Sequence, residues 1–310
     1  MKISVALCTY NGEKYLKDQL DSILQQTCDV DEIVVCDDGS SDKTIAILQG
    51  YFNNYPLIFK IHKNEINLRS VKNFEKAITL CTGDIIFLSD QDDVWEQNKV
   101  ETMVDYFNTH SDIQALFTNG FIINENNKAI ETYTVWDAPK FMEEKGNRVD
   151  HYKILTHLGN YATGASMAFK KQLKKQILPF PIIENFHHDV WIAIVAAKNK
   201  ALGYIPTPLF SYRCHQNQQV GGIFYAKNES GKTAILRKYD TERVLATFKD
   251  FKTQYRSYRD KENKFSNYLQ NHTQPILSEI LESLKISKKT LEKKTKEKNL
   301  LFYLFFKYLY

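Results

Sequence analysis

The sequence predicts an α/β fold with a parallel, doubly wound sheet, and two observations lead to this prediction. Over the first 90 residues, short apolar runs alternate with longer segments in which apolar residues recur at helical spacing. Polar motifs, two of them rich in aspartate, directly follow three of the apolar runs. Ligands bind such sheets at the carboxyl ends of the strands, so these motifs mark the candidate functional site.

Strands and helices alternate in this first part. We expect strands at residues 3–8, 32–36, 57–61 and 84–88, and helices at residues 14–26, 42–49 and 70–80. The first helix shows the basis of the assignment, because Leu16, Leu20 and Ile23 recur at helical spacing and share one face. The Ser and Asp residues before the second helix provide its cap.

The pattern becomes mixed after residue 95. We expect helices at residues 96–108 and 188–198, and strands at residues 115–118, 121–123, 162–169, 201–205 and 208–212. The polar stretch at residues 137–147 is typical of a flexible loop. From residue 226 onward the pattern is helical and charged, which divides the chain into a domain at residues 1–225 and an extension at residues 226–310.

Composition places the chain among soluble globular proteins and excludes several classes. A net charge of +4 over 310 residues is too mild to indicate a nucleic-acid partner. The five cysteines are scattered without CxxC spacing, which favours reduced thiols and a cytoplasmic location. The first apolar run is too short for a signal peptide, and no apolar run reaches the ~18 residues of a membrane-spanning helix.

Three carboxylates follow the apolar run at residues 84–88, namely Asp90, Asp92 and Asp93. Carboxylates crowded at the end of a buried strand repel one another, and a hard divalent cation removes that repulsion. Mg²⁺ or Mn²⁺ suits the Asp90-x-Asp92 spacing, particularly if the cation is shared with a diphosphate. The alternative is a strand-to-helix turn in which an aspartate caps the next helix.

The other two strand ends carry shorter polar motifs. Residues 36–42 read Cys-Asp-Asp-Gly-Ser-Ser-Asp, where Gly39 allows a sharp turn and a carboxylate can accept hydrogen bonds from a nucleoside. An Asx turn with a helix cap explains this motif equally well. Residues 8–12 read Cys-Thr-Tyr-Asn-Gly, so the GxGxxG loop of dinucleotide-binding folds is absent there, as is a phosphate-binding GxxxxGK[ST] loop.

Taken together, the motifs at residues 8–12, 36–42 and 89–95 resemble those of the family 2 glycosyltransferases. The resemblance covers residues 1–225 and is closest to the rhamnosyltransferase-like branch of that family. It implies the GT-A nucleotide-diphospho-sugar transferase fold, a Rossmann-like mixed sheet flanked by helices, here with a helical C-terminal extension. It also implies an enzyme, a hexosyltransferase that uses a nucleotide-sugar donor.

The resemblance assigns the donor-binding roles residue by residue. Thr9 and Asp38 would contact the pyrimidine base, and Asp37 would support their loop. Asp90 would bind the ribose or the metal, and Asp92 would be the main ligand of Mg²⁺ or Mn²⁺.

The resemblance also implies an acceptor side. Asp189 matches the general base of an inverting transfer, which takes the proton from the attacking hydroxyl. Gly164, Trp95 and His188 would line the donor-sugar and acceptor pocket. Asp93 would cap the following helix or orient the acceptor side. From the residues alone, Asp189 is equally a helix cap, Gly164 a strand bulge and His188 a surface residue.

A candidate lid follows the last predicted strand, at residues 212–222. It contains Arg213 and His215 among amides and glycines, and the resemblance places such a segment over the diphosphate. An ordinary polar exit loop is the alternative.

The C-terminal tail is basic at residues 290–298 and almost wholly apolar at residues 300–310. This order is typical of an interfacial anchor, so we expect peripheral contact with the inner face of the cytoplasmic membrane. The alternative is a helix that packs on the domain or on another subunit.

The sequence therefore predicts an inverting, metal-dependent transferase. The donor would be a dTDP- or UDP-sugar that gives rhamnose or a hexose, and the acceptor a cell-surface polysaccharide or a lipid-linked oligosaccharide. Two alternatives remain, a sugar nucleotidyltransferase and an inactive scaffold that binds sugar nucleotides. A nucleotidyltransferase normally carries a glycine-rich loop with arginine or lysine after its first strand, and residues 9–13 do not form such a loop. The intact carboxylates Asp38, Asp90, Asp92 and Asp189 argue against an inactive scaffold.

Overall fold

A computed structural model describes residues 1–146, 149–216, 224–241, 245, 247–298, 300 and 303–304. Its centre is a mixed sheet with the strand order β3-β2-β1-β4-β9-β6-β10-β5, and β7 pairs with β6. A two-stranded sheet of β8 and β11 lies apart from it. The strands are β1 (Ile3–Thr9), β2 (Glu32–Asp37), β3 (Phe59–Lys63), β4 (Ile85–Ser89), β5 (Val94–Trp95), β6 (Ala115–Asn124), β7 (Ala129–Ile130), β8 (Thr132–Thr134), β9 (Met167–Lys170), β10 (Leu202–Cys214) and β11 (Phe224–Ala226).

Helices pack around this sheet and continue beyond it. They are α1 (Leu16–Leu24), α2 (Thr44–Asn54), α3 (Arg69–Leu80), α4 (Lys99–Thr109), α5 (Ala138–Glu144), α6 (His151–Lys153), α7 (Lys174–Ile177), α8 (His188–Lys198), α9 (Glu229–Tyr239), α10 (Phe248–Leu269) and α11 (Pro275–Lys298). A π-helical turn, Ile154–Leu158, follows α6, and a 3₁₀ turn, Gly164–Ser166, precedes β9.

The parallel strands β1, β2 and β4 position the site. Their side chains are almost all buried, because both faces of the sheet are covered. In register, Thr9 of β1 lies beside Asp37 of β2, and Leu7 of β1 lies beside Ser89 of β4. The predicted motifs therefore leave the sheet at one edge.

The sheet is mixed rather than wholly parallel, as the GT-A resemblance implied. β9 runs antiparallel between β4 and β6, and β5 runs antiparallel to β10. The four strands and three helices expected in the first 90 residues are all present, shifted by a few residues at their ends. The predicted fold class is confirmed.

Three expectations in the second part were wrong. Residues 115–124 form one strand, as do residues 202–214. Residues 137–147 were expected to be a loop, yet α5 occupies most of them. Thr134 and Asp137 form a capping box before α5, and Phe141 and Met142 are buried on its inner face. Five of the residues expected as a strand at 162–169 instead precede and form the 3₁₀ turn before β9.

The extension is joined to the main body through several contacts. β11 pairs with β8, and α9 packs on α5, so the predicted boundary after residue 225 falls inside a paired strand. Helices α10 and α11 pack against each other. The division at residue 225 remains a prediction. Within the part of the chain that the structure describes, no helix is long and apolar enough to cross a membrane, and the apolar tail lies outside it except for residues 300, 303 and 304.

Candidate active site

A cavity of about 920 Å³ opens at the carboxyl ends of β1, β2 and β4. One end is lined by the strand-end motifs, including Thr9, Asp38, Asp90 and Asp92. The wall continues past the first turn of α8 and ends on α10. Residues from both the main body and the extension therefore share one cavity.

The loop after β2 is held by Asp37. The Thr9 hydroxyl donates to Asp37 Oδ2 at 2.8 Å, and the Ser40 backbone N–H donates to Asp37 Oδ1 at 2.9 Å. Asp37 is completely buried and does not line the cavity. Its geometry is that of a residue that holds the loop, which is the role predicted for it.

Asp38 lines the cavity, but its carboxylate also holds the start of α3. The backbone N–H groups of Leu68 and Arg69 donate to its two oxygens at 2.7 and 2.8 Å. The Asn64 amide donates to Oδ1 at 2.8 Å. A carboxylate with these partners is fixed in place, and any ligand would meet it beside Thr9 and Arg69.

A cluster of carboxylates lies where β4 ends. Burial and the neighbouring carboxylates of Asp92 and Asp189 raise the pKa of Asp90 to about 7. The Nε2 of His215 lies 2.9 Å from Oδ2 of Asp92. Asp90, Asp92 and Asp189 are therefore close enough to affect one another's charge, although Asp189 is distant in sequence, and the imidazole of His215 contacts Asp92.

The donor set fits a divalent cation that substrate oxygens complete. Among the described residues, no group of three or more His, Cys, Asp or Glu side chains could hold a metal ion alone. The carboxylates of Asp90 and Asp92 nevertheless repel each other, and the imidazole of His215 already contacts the second. Carboxylate and imidazole ligands suit Mn²⁺, and magnesium-type sites commonly use one or two carboxylates plus phosphate oxygens.

Asp93 does not cap a helix, because α4 begins at Lys99 with Asn98 in the cap position. Its Oδ1 accepts from the Arg213 backbone N–H at 3.1 Å, and its Oδ2 is buried without a hydrogen-bond partner in the described part. Burial and the acids Asp92 and Asp90 raise its pKa well above the usual range.

Lys99 lies close to the carboxylate cluster, which the sequence did not reveal. It is completely buried, and its Nζ donates to the Ala165 carbonyl at 2.7 Å. Burial lowers its pKa to about 7, against the opposing effect of Asp93 and Asp90. The Lys99 amine is therefore coupled electrostatically to these two acids.

Trp95 was predicted to line the pocket, and this prediction is wrong. Its indole is buried against Phe87, with ring centres 5.6 Å apart, and the Lys99 ammonium lies 4.2 Å from the indole centre. Trp95 contributes to a separate pocket of about 380 Å³ that Asp18 and Ser211 also line. Trp95, on the short strand β5 just after the buried Asp93, therefore packs into the core.

Asp189 lies in the first turn of α8 and lines the cavity. The Gly164 backbone N–H and the Asn160 amide donate to its Oδ2 at 3.1 and 3.2 Å. Its Oδ1 accepts from the Val190 backbone N–H at 2.7 Å. A Cβ at position 164 would come within 3.1 Å of the His188 Nε2, so a larger residue there would require the imidazole to shift by a few tenths of an ångström.

His188 is buried, which excludes the surface alternative. Its ring stacks on Phe74 with centres 3.8 Å apart. Neither ring nitrogen has a hydrogen-bond partner within the described residues. Burial lowers its pKa to about 4, so the ring is neutral at physiological pH and lines the cavity beside Asp189.

Arg213 was predicted to contact the diphosphate, yet it does not line the cavity. The side chain is 1% exposed, and its Nε donates to the Asp92 carbonyl at 2.7 Å. Its guanidinium lies 4.6 Å from the Tyr15 ring centre and donates to Asp18 at 3.1 Å. Arg213 therefore fixes the backbone of the acidic loop. His215 lies beside Asp92 but does not line the cavity either, and its predicted contact with the phosphate or the metal stays a prediction. Residues 217–222 of the candidate lid lie outside the described residues.

The sequence also missed the far end of the cavity. Lys261, Lys264 and Phe265 of α10 line it. Their spacing of three and four residues places them on one helix face, but no motif distinguishes them from other charged helical segments.

Comparisons with known proteins show the family. The family model described as glycosyl transferase family 2 matches residues 4–176. The dTDP-rhamnosyl transferase RfbG of Shigella flexneri is 28% identical over 74% of this chain and 79% of its own length. Uncharacterised glycosyltransferases of Nostoc and Methanocaldococcus jannaschii are 27% and 31% identical, and the chain spans only 65% and 64% of their lengths.

Solved structures show the same fold at low sequence identity. Staphylococcus aureus TarS in complex with UDP-GlcNAc has a TM-score of 0.55 and 17% identity, over 92% of this chain and 71% of that one. A Pyrobaculum calidifontis mannosyltransferase in complex with GDP-Man and Mn²⁺ has a TM-score of 0.50 and 16% identity, over 95% and 83% of the chains.

Proposed function

Because the chain belongs to glycosyl transferase family 2, we propose that it is an inverting, metal-dependent transferase of a surface glycan. It moves rhamnose or a hexose from a dTDP- or UDP-sugar onto a polysaccharide or a lipid-linked oligosaccharide. One observation carries the proposal: Asp90, Asp92 and Asp189 share a single cavity with the nucleoside candidates Thr9 and Asp38.

The nucleotide binds at the end of the cavity formed by β1 and β2. Thr9 and Asp38 lie side by side there, and Arg69 adds a positive charge at the start of α3. A dTDP-sugar donor is favoured by the similarity to the Shigella flexneri rhamnosyl transferase. A UDP-sugar fits the same contacts, because both bases are pyrimidines with an N–H group flanked by carbonyl oxygens.

Asp92 and Asp90 would hold Mg²⁺ or Mn²⁺, with the imidazole of His215 beside them. When bound, the cation supplies the positive charge that a leaving diphosphate needs. The mannosyltransferase from Pyrobaculum calidifontis was solved with Mn²⁺ and its nucleotide sugar, which supports this choice of cation.

Asp189 acts as the general base. It accepts the proton from the acceptor hydroxyl as that oxygen attacks the anomeric carbon on the face opposite the diphosphate. The Asn160 amide and the Gly164 N–H orient its Oδ2, and neutral His188 packs beside Gly164. A single carboxylate suffices, because the leaving group needs no proton from an acid.

The location and the partners extend the same proposal. The enzyme works in the cytoplasm on a nucleotide-sugar donor and a glycan or lipid-linked acceptor. Peripheral contact of the apolar tail with the inner face of the membrane remains a prediction.

Calorimetry with UDP and dTDP, each with and without Mn²⁺, tests the proposal. We expect Mn²⁺ to tighten binding of at least one nucleotide by about tenfold or more, ~1.4 kcal/mol. Asp92→Asn should remove this gain, whereas Asp112→Asn, at an exposed aspartate after α4, should keep it.

The alternative functions predict different results in this experiment and in two activity assays. Nucleotide binding that ignores Mn²⁺ would contradict metal-dependent transfer. A sugar nucleotidyltransferase would release diphosphate from a nucleoside triphosphate and a sugar 1-phosphate, which the proposed enzyme should not do. An inactive scaffold would bind the nucleotide sugar, but it would neither transfer the sugar nor show the slow donor hydrolysis of a transferase.

A further inference from the structure

The end of the cavity formed by α10 carries two lysines, and this basic end is opposite in charge to the end that holds Asp90 and Asp92. Lys261 and Lys264 line the wall together with Phe265. Across from them the lining includes Thr156 and Glu184. The lysines belong to the extension, and the facing residues belong to the main body.

Both ammonium groups donate to backbone carbonyls. The Lys261 Nζ donates to the Thr156 carbonyl at 3.0 Å, and the Lys264 Nζ donates to the Glu184 carbonyl at 3.1 Å. Neither forms an ion pair with a carboxylate within the described part of the chain. Burial alone lowers the pKa of Lys261 to about 8.

Nearby lysines of the extension behave differently. Lys288 pairs with Glu262, the residue next to Lys261, and Lys285 pairs with Glu282 at 2.7 Å. The two acids that flank Lys261 in α10 are therefore already paired, Asp260 with Arg259 and Glu262 with Lys288. Lys261 and Lys264 are half-buried in the cavity wall, and a partly desolvated ammonium without a counter-ion gains from an anionic ligand beside it.

We propose that Lys261 and Lys264 form a subsite for a negatively charged group, a phosphate or a carboxylate, on the acceptor glycan. This subsite depends on the proposed function, because that function makes the ligand an acceptor. Leu155, Leu158 and Phe265 supply apolar surface for the sugar ring between the two ends of the cavity.

The charge distribution orients such an acceptor. Asp90, Asp92 and Asp189 repel an anion, and the lysines attract it. An anionic acceptor therefore enters with its charge on α10 and its hydroxyl toward Asp189. A neutral acceptor lacks this preference, so the lysines select against it.

Saturation-transfer NMR with three sugars in EDTA-containing buffer tests the subsite without any donor. The probes are glucose 6-phosphate, glucuronate and glucose, which separate a phosphate, a carboxylate and a neutral ring. We expect the protein to bind one or both anionic sugars about tenfold or more tightly than glucose. Lys261→Gln should weaken that binding to the level of glucose, and Lys264→Gln should weaken it less.

Matched variants separate charge from structure. Lys249→Gln removes an exposed lysine of the same helix outside the cavity and should leave binding unchanged. Lys261→Arg keeps the charge and should restore most of the affinity. If Lys261→Gln does not fold, Lys264→Gln and Lys261→Arg decide the question.

Equal binding of all three sugars, no binding at all, or full binding by both Lys261→Gln and Lys264→Gln would overturn the subsite. Failure of nucleotide binding in the calorimetry above, with the anionic sugars still bound through Lys261, would overturn the transferase function and leave the anion site. The two proposals therefore fail in different experiments.

Discussion

The two ends of the cavity are built in opposite ways. At the strand ends, carboxylates are held by internal partners: Asp38 by the start of α3, and Asp189 by Gly164. At α10, Lys261 and Lys264 have only carbonyl oxygens as partners in the described structure. The first end is organised before a ligand arrives, and the second is left for a ligand to complete.

This difference assigns a task to each end. A chemical step benefits from groups that need no rearrangement, and hydrogen bonds to backbone N–H groups provide that rigidity. Recognition of an acceptor needs charge at a distance from the reacting atoms, which two lysines on a separate helix provide. Variants at the two ends should therefore change different measured quantities.

Asp189→Asn should have the largest effect. Asparagine can keep an acceptor oxygen for the Gly164 N–H, but it cannot take a proton. We expect transfer to fall on the order of 10³-fold. Donor affinity, measured by calorimetry with Mn²⁺ present, should stay within about twofold, since it involves less than ~0.5 kcal/mol.

The exposed Asp112→Asn variant is the control for a change of charge alone. Transfer at near wild-type rate by Asp189→Asn would refute the assignment of the base. A loss of donor affinity equal to the loss of rate would instead place Asp189 in the donor site.

Lys99→Met should be the next largest change, and it is measured as stability. It removes the amine near Asp90 and Asp93 and leaves the buried Ala165 carbonyl without its donor. A buried acceptor that loses its only donor costs about 2 kcal/mol. Urea unfolding at pH 7 measures this free energy.

Lys261→Met is the informative comparison, because Lys261 has no carboxylate partner in the described structure. We expect it to change the free energy of unfolding by less than about 1 kcal/mol. Lys128→Met, in an exposed turn, sets the baseline. A loss at Lys261 as large as that at Lys99 would show that both lysines are structural and would remove the contrast between the two ends.

The strand-end residues could be predicted because parallel strands bring their carboxyl ends to one edge. Thr9, Asp38, Asp90 and Asp92 needed only the strand pattern to be placed together. Asp189 needed the family resemblance, since nothing in its local sequence separates a base from a helix cap.

Residues whose role depends on tertiary packing could not be predicted. Arg213 was expected at the diphosphate because a guanidinium near amides and glycines suits a loop that folds over a diphosphate, but it packs on the ring of Tyr15 and donates to the Asp92 carbonyl instead. Lys99 has the sequence context of any helix start, although it is completely buried. Lys261 reaches the cavity only because α10 folds back onto the main body.

The last prediction concerns how the extension is attached. His157 lies in the π-helical turn, where its Nε2 is 3.2 Å from the Ser283 hydroxyl of α11 and its ring meets the Tyr258 ring edge-on. Burial, together with the charge of Lys261, lowers its pKa to about 4. The docked extension therefore requires a neutral imidazole.

Because the folded pKa is about 4 and the ordinary value is 6.5, the unfolded state binds the proton first as pH falls. Stability should therefore drop between pH 6.5 and 4, and His157 contributes a loss of about 2 kcal/mol by pH 5.

His157→Gln can still form a hydrogen bond to Ser283, and it should reduce the dependence of the free energy of unfolding on pH in this range, as measured by urea unfolding. His110→Gln, at an exposed site, should not. His151, also with a pKa lowered to about 4 by burial, keeps some pH dependence in the variant. An unchanged slope in His157→Gln would mean that the extension stays docked when this histidine is charged, and the basic end of the cavity would then persist in acid.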